Sequence, residues 1–183
     1  TYDPFRVATQ TDSGSASVAA ARLEAISYQK TAAALANLMD VGAGFLQSLK
    51  SPNATPAEEL ALRQSLSVEL VNKIAQTYNG TDLSSALAVS GTGGLVYQTL
   101  LAVAANNGLT SDAVTTAITN LASTLSLANS KIAAISPTIA GNNDAVIDNS
   151  TEAVSLLAQI IRVQSLTKGT VADTVIDYAT KVA

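Results

Sequence analysis

The chain has 183 residues, enough for one domain with a sizeable core, and it carries a net charge of −4 with no His, Cys or Trp. These absences exclude disulfides, thiolate metal sites, thiol nucleophiles and imidazole acid–base chemistry. Charged residues make up only 13% of it, against ~25% in an average globular protein, so its exposed faces must be built from Ser, Thr, Asn and Gln.

The 10 Lys and Arg are spread singly, with none between Lys73 and Lys131, whereas a nucleic-acid footprint needs them clustered. A surface so poor in charge is weakly protected against self-association. The most apolar stretch, Leu95 to Ala105, is well short of the ~20 residues a transmembrane helix requires. Nothing at the start has the form of a cleavable signal, and an opening at Thr1 rather than Met reads as a processed or excised fragment.

Residues 1–14 hold Pro4 and Gly14 without helical periodicity. They are expected to form an irregular arm whose Tyr2, Phe5 and Val7 pack on the body or on a neighbour. Residues 15–183 read as a single helical-bundle domain. From Ser15 to Lys50, Leu23, Ile26, Leu35, Leu38, Phe45 and Leu49 fall near one stripe, which predicts one long helix or two with a bend. Gly42 and Gly44, close to its end, suggest a close helix crossing, since each weakens a helix by roughly 1 kcal/mol relative to Ala.

Thr55-Pro56-Ala57-Glu58 is a capping box with Pro at the first helical position. Leu62, Leu66, Leu70, Ile74 and Tyr78 then recur every four residues, and Asn79-Gly80 ends that helix. Asp82 starts a shorter helix running to about Val89. After Ser90-Gly91-Thr92-Gly93-Gly94, the segment Leu95–Asn106 is apolar nearly all round, which predicts a helix at the centre of a bundle.

The next helix starts at Thr110-Ser111-Asp112. Its Val114, Ile118, Leu121, Leu125, Ala128, Ile132 and Ile135 alternate spacings of four and three, while Thr115, Thr116, Thr119, Asn120, Ser123 and Thr124 lie opposite. A helix with an apolar stripe and an uncharged back is expected to be covered on both sides, so Thr115, Thr119 and Ser123 are candidate interface residues, together with Tyr2, Phe5 and Val7. Asn149 with Glu152, and Thr170 with Asp173, start two further helices. No segment alternates as a strand does. The fold class is all-α, a bundle of about six helices joined by short loops with an irregular N-terminal arm.

The motifs that could carry chemistry are weak. Ser90–Gly94 imitates a phosphate loop but lacks the P-loop Lys and a preceding strand, so it reads as a connection between helices. Asp144, Asp148 and Glu152, spaced by four with Asn149 nearby, could bind calcium weakly; acids favouring a helix N-terminus explain them better. Asn53-Ala54-Thr55, Asn79-Gly80-Thr81 and Asn149-Ser150-Thr151 match the glycan-acceptor pattern, leaving possible glycans at Asn53, Asn79 and Asn149. A chain rich in Thr and Ser also produces such triplets by chance. No catalytic, cofactor-binding or metal-ligating set can be named.

The opening Thr1-Tyr2-Asp3-Pro4-Phe5-Arg6-Val7-Ala8, followed by an Ala-rich helix containing Tyr28-Gln29-Lys30-Thr31-Ala32-Ala33-Ala34-Leu35-Ala36-Asn37-Leu38, resembles a segment of very large secreted bacterial surface proteins. Those proteins leave by a type I route and carry calcium-binding or cadherin-like repeats. The likeness covers about the first 50 residues, and no calcium-binding Gly/Asp repeat occurs here. It implies an extracellular or cell-surface location and an adhesive, non-catalytic role.

The sequence therefore leads to the expectation of a secreted, non-enzymatic structural or interaction module without cofactors. It would associate into homo-oligomers or filaments and bind no nucleic acid. The alternative is a carrier holding an apolar small molecule between helices.

Overall fold

The computed structural model describes residues 16–50, 55–77 and 82–134. They are all-α, with no strand among them. The elements are α1 (Ala16–Ala36), a π turn (Asn37–Val41), α2 (Gly42–Lys50), α3 (Pro56–Thr77), the short α4 (Leu83–Ala86), α5 (Leu95–Asn106) and α6 (Asp112–Ala134). Ala36 and Gly42, which flank the π turn, both keep right-handed helical angles, so α1, the π turn and α2 form one long rod. The arm with Tyr2, Phe5 and Val7, the acceptors Asn53, Asn79 and Asn149, the acids Asp144, Asp148 and Glu152, and the helices predicted from Asn149 and Thr170 lie outside the described residues.

The start of α3 follows its capping box. Thr55 N–H donates to Glu58 Oε2 at 2.9 Å, and Glu58 N–H donates to Thr55 Oγ1 at 3.3 Å. Two N-terminal donors are thereby satisfied reciprocally. α3 packs on α2 and α5, while α6 packs on α5, α1 and α4. The long helices thus form a ring in the order α1–α2 rod, α3, α5, α6, with α3 and α6 at opposite corners. Leu38, Phe45, Leu66, Leu100, Ile118 and Leu125 fill the middle at 0–1% exposure, each contributing roughly 1.5–3 kcal/mol by leaving water.

The stripe predicted for α6 is buried from Val114 to Ile132. Three expectations need correction. α5 is one wall of the ring rather than an enclosed centre: Val96, Thr99, Leu100, Val103 and Ala104 are buried, but Leu95, Tyr97 and Leu101 are only partly so. A ring of four rods leaves each an outer side. α4 ends at Ala86 rather than near Val89, because Ala88 and Val89 turn back to Ser85 and Ala86 and the carbonyls of Leu87 and Val89 bond to side chains of α6.

The two glycines of α2 also differ. A Cβ at Gly42 would lie 3.0 Å from Leu100 Cδ2 and 3.4 Å from Leu66 Cδ1, whereas one at Gly44 would meet nothing within 4 Å. Only Gly42 marks a close crossing. In the Ser90–Gly94 connection, Gly91 has φ +87° and a Cβ on Gly94 would run into the Val89 carbonyl. The glycines there serve a tight turn.

Candidate interaction surface

Where the rod, α4 and α6 meet, the core contains a seam of amides. Asn37 opens the π turn, and its Nδ2 donates to Asn129 Oδ1 at 3.1 Å. Asn129 Nδ2 donates in turn to the Leu87 carbonyl at 3.1 Å, and Ser126 Oγ donates to the Val89 carbonyl at 3.0 Å. The seam therefore receives the backbone oxygens that the early end of α4 leaves over. At its edge, Lys30 Nζ donates to the Ala133 carbonyl at 3.0 Å. Partial burial holds the Lys30 ammonium below its usual pKa, and the charge of Asp82 offsets part of that.

The Asn37 Oδ1, the Gln47 amide and the Thr99 hydroxyl are buried without a protein hydrogen-bond partner, a cost that the apolar burial around them must offset. Among the described residues, no three His, Cys, Asp or Glu lie close enough to hold a metal ion. No described helix is long and apolar enough to cross a membrane.

The surface of α3 inverts the usual amphipathic pattern. From Leu60 to Gln76 every exposed residue is uncharged, and Leu60, Val68 and Val71 among them are 56–63% exposed. The charged residues of that stretch, Arg63, Glu69 and Lys73, are only partly exposed at the flanks. Arg63 bridges Asp40 of the π turn and Glu59, the latter at 2.6 Å, while Lys73 meets Glu69 at 3.5 Å. A surface helix ordinarily turns charge to water. Here the charge is drawn to the rims, and aliphatic side chains face outward around Gln64.

The outward face of α6 is also uncharged between Ala113 and Ser130, with exposed residues Ala113, Thr116, Asn120, Ser123 and Leu127. Of the predicted interface residues, Ser123 lies on this face. Thr115 and Thr119 do not: they are part-buried on the flank, their hydroxyls bonded back to the carbonyls of Ser111 and Thr115 at 3.2 and 2.8 Å. Sequence reasoning missed Leu60, Val68, Val71 and Leu127. Their signal was present, as large aliphatics off the stripes that form the core.

No protein-family model matches the chain, and neither curated proteins nor solved structures give a match.

Proposed function

We propose that the protein is a non-enzymatic structural or interaction module that associates with copies of itself in an extracellular or cell-surface assembly. The observation that carries this reading is the outer face of α3, where exposed residues from Leu60 to Gln76 include three large aliphatics and no charge. Contiguous exposed apolar surface ordinarily serves contact with another surface, and the second uncharged face on α6 supplies another place for it. The likeness of the first 50 residues to secreted bacterial surface proteins supports the location, and the arm carrying Tyr2, Phe5 and Val7 is a further contact element in this reading.

Light scattering over a concentration series tests it, on the full chain and on a chain lacking residues 1–14. The average mass should rise with concentration and fall when the arm is removed. A strictly monomeric mass at high concentration, unchanged by that deletion, would sink the reading.

A further inference from the structure

We propose that α3 pairs antiparallel with α3 of a second copy about a two-fold axis through Gln64. The inference rests on the self-association reading and assigns it a face and a symmetry. Ala57, Leu60, Gln64, Val68 and Val71 are all exposed and spaced 3, 4, 4 and 3 residues apart, which keeps them within about 80° of one another around the helix. That spacing reads the same in both directions from Gln64. An antiparallel two-fold contact places residue i opposite a residue equally far on the other side of the axis. Leu60 then meets the partner's Val68, Ala57 meets the partner's Val71, and each Gln64 meets the other.

Charge also favours a copy over another class of partner. A two-fold contact brings together two molecules that each carry a net charge of −4, and an uncharged face adds no like-charge contact to that repulsion. From Leu60 to Gln76 the exposed part of α3 is such a face, and it offers a basic peptide or a nucleic acid nothing to pair with. The two Gln64 amides, each both donor and acceptor, can bond reciprocally and fix the orientation, as a single polar residue does in an apolar helix seam. A strip about 25 Å long and about 10 Å wide gives ~500 Å² for the pair, below the ~1,200 Å² of stable complexes. The pairing is therefore weak and concentration-dependent.

The absence of Cys permits a direct test. At helix-packing distances of about 8–10 Å, two Cys at residue 64 come within disulfide range. Gln64→Cys should oxidise to a covalent dimer at least about tenfold faster than Ala32→Cys, which is exposed on α1 away from both uncharged faces. Val68→Lys should weaken dimerisation in sedimentation equilibrium by about tenfold or more, with helix content by circular dichroism unchanged. Gln64→Glu should dimerise poorly at pH 7 and recover near pH 3, when the facing carboxylates are protonated.

If the wild-type chain associates while Val68→Lys associates equally well and Gln64→Cys cross-links no faster than Ala32→Cys, the α3 pairing is overturned and self-association through another face stands. A chain that stays monomeric at about millimolar concentration removes both. If Val68→Cys in the monomer resists a thiol reagent, another part of the same chain covers the face, and the pairing is again overturned.

Discussion

Asn37 donates to Asn129 inside a largely apolar core while its own Oδ1 stays without a partner, so the energetic role of this bond shows when one of the two amides is removed. Asn129→Ala strips a partner from both Asn37 and the Leu87 carbonyl, and a cost of ~2–3 kcal/mol in urea unfolding is expected. Replacing both Asn37 and Asn129 by Leu removes the orphaned side-chain groups together, so the double substitution should cost less than the sum of the singles in a double-mutant cycle. Asp82 caps α4, and its carboxylate is held below the usual range by the Ser84 hydroxyl, then by the N–H and hydroxyl of Ser85. A carboxylate depressed on folding stabilises above its unfolded pKa of ~3.9 and loses that effect as pH falls through the folded value. Asp82→Ala should therefore cost about 0.5–1 kcal/mol at pH 7, and the difference between variant and wild type should shrink in thermal melts as pH is lowered below the unfolded pKa.

Among the helices, the two glycines of α2 allow a test of opposite signs. Gly44→Ala should raise stability by up to ~1 kcal/mol, because the side chain enters open space and the helix gains propensity. Gly42→Ala forfeits that gain against Leu100, and the larger Gly42→Val should lose ~1–3 kcal/mol by overpacking; melting temperatures of the three variants decide it. The capping box at Thr55 and the stripe of α6 were legible in sequence because each is local, set by side chains three or four residues apart. The start of α4 at Asp82 was legible for the same reason, but its end was not, since the end depends on Ser126 and Asn129, about 40 residues downstream. The π turn gives no periodic signal either. Thr115 and Thr119 were placed on an outer face because composition separates polar from apolar positions but does not distinguish a helix flank from its back. On α3 the reading stopped at the buried stripe Leu62, Leu66, Leu70, although Leu60, Val68 and Val71 already marked a second one.

At the scale of the molecule, α3 and α6 occupy opposite corners of the ring, so pairing through α3 would leave an uncharged α6 face at each end of the dimer, available for further growth. Contacts between such faces do not depend on ion pairs. Association should change less than about twofold between 0.05 and 0.5 M sodium chloride, where charge-driven contacts weaken strongly, and should strengthen in sodium sulfate, which favours apolar burial; sedimentation in both salts checks this. On α6, the hydroxyl of Thr116 on the outward face and those of the part-buried Thr115, Thr119 and Thr124 beside it donate to carbonyls four residues earlier in the same helix. A surface that counts as hydrophilic by composition therefore holds its hydration water with few donors, and drying it on contact sacrifices few hydrogen bonds.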